Sequence, residues 1–354
     1  MLPVLLFLAF SARLGPMGPD APAHEPQMAI NGSTVALAFG AGHAIYFSSS
    51  GDSGKTFSEP IKVVDAGIVP LTRHRGPRIA FAGNAIVITA VVGSKAEEGA
   101  HAHGLPADGD LLVWRSLDNG KTWIPGKPIN DVPASATEGL HALASDGKGL
   151  LYAAWLDKRG AKGTKLYSAR STDGGFTWSK NTAVYLSPEG TICECCHPSL
   201  AIGASGELVL MWRNALDGSR DMYLSTSRDG VTFAVPRKLG DGTWKLNACP
   251  MDGGGLAVSG AKILTAWRRE TNVFLAEPGR PERQIGSGKD IALAVAGGKT
   301  YVAWVDGAKV EVWVDGKLEH LADTGAFPSL LGLPNGGVLA AWEENGAIQV
   351  RRLP

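Results

Sequence analysis

The sequence predicts an all-β fold, a β-propeller of seven blades, on three observations. One phrase, a short strand, a glycine-bearing turn and an apolar strand that often ends in tryptophan, recurs seven times. A second phrase of Ser, Asp, Gly, Thr and an aromatic residue recurs four times. Glycine accounts for 46 of 354 residues, about twice its usual share, and nowhere in the body of the chain do apolar residues repeat at helical spacing. Short strands at such intervals form one small antiparallel sheet per repeat, and radial stacking buries the faces of each sheet against its neighbours.

The chain opens on an apolar run, Leu2–Phe10, with no Lys or Arg before it. The run is too short to span a bilayer and has the length of a secretory signal core. Residues 1–22 are therefore expected to be a signal peptide and a disordered leader, with the prolines of Gly15–Pro26 arguing against regular structure. Residues 23–354 are expected to form one propeller domain, secreted or periplasmic. No later segment is long and apolar enough to cross a membrane.

The first strands of the modules are expected at Pro26–Ile30, Pro77–Phe81, Gly139–Ala144, Pro198–Ile202, Gly254–Val258, Asp290–Val295 and Pro328–Leu331. The second strands follow at Val35–Phe39, Ile86–Val92, Leu151–Trp155, Leu208–Trp212, Ile263–Trp267, Thr300–Trp304 and Val338–Trp342. From Trp155 the steps between second strands are 57, 55, 37 and 38 residues, so the later modules keep the strands and shorten the loops. Trp155, Trp212, Trp267, Trp304 and Trp342 end second strands and are expected to pack between blades. The last module shows no fourth strand of its own, which keeps six blades as the alternative.

The recurring turn follows the third strand. Ser50, Asp52, Gly54, Thr56 and Phe57 share their spacing with Ser116, Asp118, Gly120, Thr122 and Trp123 and with Ser171, Asp173, Gly175, Thr177 and Trp178. Ser227, Asp229, Gly230, Thr232 and Phe233 repeat it with one residue deleted. Asp and Ser bond to turn backbone, Gly takes positive φ, and the aromatic ring anchors the turn in the blade. These residues resemble the Asp-box, or BNR, repeat of the sialidase superfamily and other Asp-box propellers. The resemblance covers four modules by this phrase and the others by strand pattern, and it implies turns on the face away from a functional site.

If these turns mark the bottom, the module junctions and the loops between second and third strands lie on top. That face receives six of the eight histidines and all four cysteines. Among them are His43, His74, His101, His103, His141 and the run Cys193-Glu194-Cys195-Cys196-His197. Innermost strands start at the channel, so His74, His141, His197 and Cys249 are expected to converge there. Two readings follow for the cysteines. Four Cys in an exported protein can pair as two disulfides, through a Cys193–Cys196 closure or a bridge from the cluster to Cys249. Alternatively Cys193, Cys195, Cys196, His197 and Cys249, with His74 and His141 next, form a metal site, and soft sulfur with imidazole suits copper or zinc. Copper there would permit redox chemistry.

The sialidase resemblance implies a different chemistry, in which three arginines hold a substrate carboxylate, a Tyr activated by Glu is the nucleophile and an Asp is the acid/base. Arg78 and Ile79 match the start of that family's Arg-Ile-Pro phrase, and Ala80 departs from it. Arg213 and Arg268 stand just past second strands, Asp110 is an acid candidate and Glu138 a possible base. The late junctions at Lys289-Asp290 and Phe327-Pro328 carry no Tyr. A third possibility is a non-catalytic module that binds a protein or glycan.

Lys plus Arg and Asp plus Glu stand at 34 each, for a net charge of zero. That balance argues against nucleic acid as a partner. A small anionic ligand or a glycan at the arginine-rich top face is compatible with it, and the chain is expected to be a monomer.

Overall fold

The computed structural model describes residues 11–98, 104–160 and 162–354. Among them there is no helix, and all strands fall into seven antiparallel sheets of four strands. The fold is a seven-bladed β-propeller.

Blade 1 runs through Ala23–Asn31, Thr34–Ala41, Ala44–Ser50 and Ile61–Asp65, and blade 2 through Arg78–Ala82, Ala85–Val92, Asp110–Ser116 and Ile124–Pro125. Blade 3 comprises His141–Ser145, Leu151–Asp157, Lys165–Ser171 and Thr182–Tyr185, and blade 4 Ser199–Ile202, Leu208–Arg213, Met222–Ser227 and Arg237–Lys238. Blade 5 is built from Gly254–Ser259, Lys262–Arg269, Asn272–Ala276 and Arg283–Ser287, and blade 6 from Lys289–Ala296, Lys299–Asp306, Lys309–Val314 and Lys317–Ala322.

Blade 7 resolves the missing fourth strand. Its own segments are Ala326–Gly332, Val338–Glu344 and Ala347–Leu353, and the outermost strand is Ser11–Leu14 from the other end of the chain. Ala12 pairs with Val350 and Leu14 with Ile348. Residues 11–22 are thus not the disordered leader expected from the prolines. Ser11–Leu14 finds a sheet edge to pair with, an interaction that local composition does not reveal. Leu2–Phe10 lies outside the described residues.

The core is divided as radial packing requires. One apolar cluster joins Ala36 and Phe47 of blade 1 to Ile88 and Trp114 of blade 2, and the next joins Val87 and Leu111 to Trp155 of blade 3. Further clusters take Trp212, Trp267, Trp304 and Trp342 against the preceding blade. The last joins Leu339 and Ile348 of blade 7 to Val35 and Leu37 of blade 1 and closes the circle. The five second-strand tryptophans are inter-blade packing residues, at most 5% exposed.

The four recurrent turns share one hydrogen-bond pattern. Ser116 Oγ donates to Asp118 Oδ1 at 2.8 Å and accepts the N–H of Gly120 at 2.7 Å. Asp118 accepts the Thr122 N–H at 2.9 Å and its hydroxyl at 2.6 Å. The Thr122 bonds, with Ser116, hold the Asp118 carboxyl down at about 2. Asp52, Asp173 and Asp229 are held in the same way by Ser50, Ser171 and Ser227 and by the backbone of the threonine that follows. These turns, with those between first and second strands, lie at one end of the sheets, and the loops that join successive blades lie at the other.

Candidate functional site

Two groups of potential ligands sit side by side at the top of the channel. The first is sulfur. Ile192–His197 crosses from blade 3 to blade 4 and is pinned by the Cys193 N–H to the Arg213 carbonyl at 3.1 Å. The turn brings the three thiols together, with Sγ separations of 3.4 Å for Cys193–Cys196, 3.7 Å for Cys193–Cys195 and 3.9 Å for Cys195–Cys196. All three are buried and unpaired as disulfides, and Met251 packs against them. A cation bound tetrahedrally by thiolates at about 2.3 Å sets its sulfurs about 3.8 Å apart. The cluster can hold a metal. Burial disfavours ionising Cys196, but the thiols of Cys193 and Cys195, the Arg213 charge and the backbone of Asp252 outweigh it and draw its pKa well down.

The second group is nitrogen and oxygen. His74 Nε2 and Asp290 Oδ1 are 2.9 Å apart, Asp252 Oδ2 accepts the Asp290 N–H at 3.1 Å, and Arg268 Nε lies 3.2 Å from the same oxygen. Ligand atoms of His74, Asp252 and Asp290 lie within 4.8 Å of one another, all buried. Glu25 holds the His74 loop by accepting its backbone N–H at 2.7 Å. The His197 ring lies 4.3 Å from that of His74, and Phe327 meets His74 edge-on.

Glu25, Asp290 and Phe327 reach this point by one backbone device. Each sits in a register break of an innermost strand, between His24 and Gln27, Lys289 and Ala292, and Ala326 and Ser329. Their φ values are 56°, 59° and 48°, left-handed conformations uncommon for non-glycine residues. Such bulges re-aim a side chain and concentrate near functional sites.

The electrostatics are tightly coupled. Burial works against protonating His74, but the Asp290 bond and the charges of Asp290, Glu25 and Asp252 prevail and raise it to about 9. Burial lifts Glu25 to about 8 against the pull of His74. Burial also raises Asp252, whereas in Asp290 the same cost is exceeded by the His74 bond, which holds that carboxyl low. His197 is driven well down by burial and by the charges of His74 and Arg78.

The expected metal set is therefore divided. Cys193, Cys195 and Cys196 are together, but Cys249 is exposed and outside the group, because the Thr243–Met251 loop carries it to the surface before the innermost strand begins. His74 and His197 meet each other, with His74 committed to carboxylates rather than to sulfur. His141 does not reach the channel. As the first residue of its strand it turns between blades 2 and 3, where Nε2 faces the Thr89 hydroxyl at 3.0 Å and carbonyl at 3.3 Å. His101 and His103 lie outside the described residues.

The residues matched to glycosidase roles are close together in part, but each is engaged with protein partners. Arg78 lines a channel cavity of about 190 Å³ with His74, His197 and Gln27, yet its guanidinium donates to the carbonyls of His74 at 2.6 Å and Pro77 at 3.0 Å. Arg213, 1% exposed, donates to the carbonyls of Asp252, Arg220, Gly253 and Arg268. Arg268 reaches the Pro250 carbonyl and Asp252. Asp110 accepts from Asn130 and from the Ala134 N–H, and buried Glu138 pairs with Lys158 at 2.7 Å. Asp252, Asp290 and Glu25 escaped the sequence reading. Their only signal was position, a carboxylate at or just before the opening of an innermost strand.

No family model matches the chain, and no curated protein matches it. Solved structures do. An α-L-arabinofuranosidase from Fusarium graminearum in complex with an iminosugar inhibitor superposes with a TM-score of 0.58 at 13% identity, over 97% of this chain and 96% of that one. An α-L-arabinanase from Penicillium chrysogenum complexed with arabinobiose gives 0.57 at 15% identity, over 98% and 97%. A Trypanosoma rangeli sialidase gives 0.52 at 12%, over 97% of this chain and 59% of that one. The likeness is one of fold. It shows that the chain shares the propeller architecture of these proteins.

Proposed function

We propose that this protein is an exported metal-binding propeller in which Cys193, Cys195 and Cys196 hold one thiophilic cation, copper(I) or zinc, beside the central channel. The observation that carries the proposal is the buried sulfur triangle of 3.4, 3.7 and 3.9 Å, whose edges suit thiolates sharing one cation. The nearby Arg213 charge offsets the negative charge that thiolates bring. The thioether of Met251 is a further soft group at the cluster. Export would be directed by Leu2–Phe10, and the four turns with Asp52, Asp118, Asp173 and Asp229 would be Asp-boxes on the face opposite the metal.

Elemental analysis of protein purified with and without reductant tests this reading. One equivalent of copper or zinc is expected, and a Cys196→Ser variant should lose it. Substoichiometric metal with all four thiols blocked to alkylation would point to disulfides and end the proposal.

A second reading is a glycan-acting or glycan-binding top face. It is favoured by the likeness to solved structures bound to arabinobiose and to an iminosugar and by the cavity that exposes His74 and Arg78 to the channel. The engaged arginines make a sialidase-type carboxylate clamp the weaker form of it. Sugar release from arabinan or a sialoside that disappears in Arg78→Ala would support an enzyme, and no release with no glycan retention would exclude this reading.

A further inference from the structure

We infer that His74, Asp252 and Asp290 form a second cation site, distinct from the thiolate cluster, that takes one divalent first-row metal through nitrogen and oxygen. The three side chains come from the blade 1–2 junction, the blade 4–5 junction and the start of blade 6, so the propeller itself converges them on the channel. His74 is 9%, Asp252 1% and Asp290 4% exposed. Their ligand atoms all lie within 4.8 Å of one another. The 2.9 Å from His74 Nε2 to Asp290 Oδ1 is the edge expected between adjacent ligands held at about 2.1 Å around an octahedral cation.

The decisive feature is Asp252. Its Oδ2 is fixed by the Asp290 N–H, and Arg268 Nε lies 3.2 Å from the same oxygen as a charge partner. Its Oδ1 is buried with no hydrogen-bond partner. An unsatisfied carboxylate oxygen in the interior is costly, and a cation shared with His74 and Asp290 would satisfy it. Imidazole with two carboxylates is a harder donor set than three thiols, suited to zinc, iron(II) or manganese rather than copper(I). His74 lines the channel cavity, which supplies a route of entry. The competing state is an imidazolium at His74 held by Asp290, with no metal.

Cobalt(II) alone is a suitable probe because its spectrum separates sulfur from nitrogen and oxygen ligands. The wild-type chain is expected to bind two equivalents. A Cys193→Ser/Cys195→Ser/Cys196→Ser variant should bind one, with weak visible bands, no sulfur charge-transfer absorption in the near ultraviolet, and imidazole in its X-ray absorption spectrum. Adding Asp290→Asn or His74→Gln should abolish that equivalent while circular dichroism reports an intact propeller. If either substitution unfolds the chain, the absorption spectrum of the cysteine variant still decides, since its His74 and carboxylates are unaltered. No cobalt in the cysteine variant, a fully hydrated ion, or binding indifferent to both substitutions would overturn the site. A failed thiolate proposal would appear separately, as wild-type protein with one cobalt and no sulfur band.

Discussion

Arg213 Nε donates to the backbone carbonyl of Asp252 at 3.0 Å. The rest of the guanidinium reaches the carbonyls of Arg220, Gly253 and Arg268, so one buried side chain ties blade 4 to the loop that presents Asp252 and to the end of a blade 5 strand. A planar fork of donors makes this possible, and an ammonium cannot reproduce it. Arg213→Lys is expected to lower unfolding stability by about 2 kcal/mol and Arg213→Met by more, since the carbonyls are then left unpaired. Urea denaturation checks this. Stability within about 0.5 kcal/mol of the wild type would mean the carbonyls find other partners and that Arg213 is free for a ligand after all.

The recurrent turns make a graded prediction about inter-blade docking. Gly120, Gly175 and Gly230 have φ of 87°, 81° and 72°, so alanine carries a comparable backbone strain at each. They differ in their neighbours. A Cβ on Gly120 would overlap the Phe47 ring of blade 1 and one on Gly230 the Tyr152 ring of blade 3, whereas at Gly175 the nearest atom, on Val87, stands 3.2 Å away. Gly120→Ala and Gly230→Ala should each cost about 1–3 kcal/mol more than Gly175→Ala. Equal melting temperatures for the three variants would show that the turns do not press on the neighbouring blade.

His141 supplies a pH dependence with a definite sign. Burial, together with the Arg78 charge, pushes its pKa down to about 3 from the ordinary 6.5. Between those values the unfolded chain takes up a proton that the folded chain refuses, so His141 costs nothing above pH 6.5 and destabilises the fold increasingly as the pH drops towards 3. The contribution to the slope is at most about 1.4 kcal/mol per pH unit. Replacing His141 by Gln should flatten the stability curve between pH 6.5 and 4 while leaving its alkaline side unchanged. An unaltered acid slope in that variant would assign the loss to other groups.

The parts of this fold that repeat or lie close together in the chain are legible from residue order, and those that meet only across modules are not. Trp155, Trp212, Trp267, Trp304 and Trp342 signal their inter-blade places because each repeats a position in a strand phrase. The crowding of Cys193, Cys195 and Cys196 is also plain, because three residues in a tight run cannot move far apart. Asp252, Asp290 and Glu25 are single carboxylates in different modules, and only closure of the ring sets them beside His74. His141 misled for the complementary reason. It opens an innermost strand as the other candidates do, and the facing of its side chain depends on a register that spacing does not fix.

The closing strand makes stability depend on the amino-terminal segment. Ser11–Leu14 covers the edge of Ala347–Leu353, and Leu14 is 6% exposed within the cluster of Leu339, Ile348 and Val350. Removing residues 1–10 should leave the melting temperature unchanged, because that cut spares the pairing. Removing residues 1–14 should cost about 2–4 kcal/mol, from the exposed apolar surface of Leu14 and its partners and from the lost ladder bonds. It should also promote association through the bare edge, seen as larger species in light scattering. A leader cleaved after residue 22 would delete this strand, so if the chain is exported as proposed its amino terminus should be found at Ser11 or earlier. A mature chain that begins after Leu14 and melts like the full-length protein would show that the seventh blade is stable on three strands.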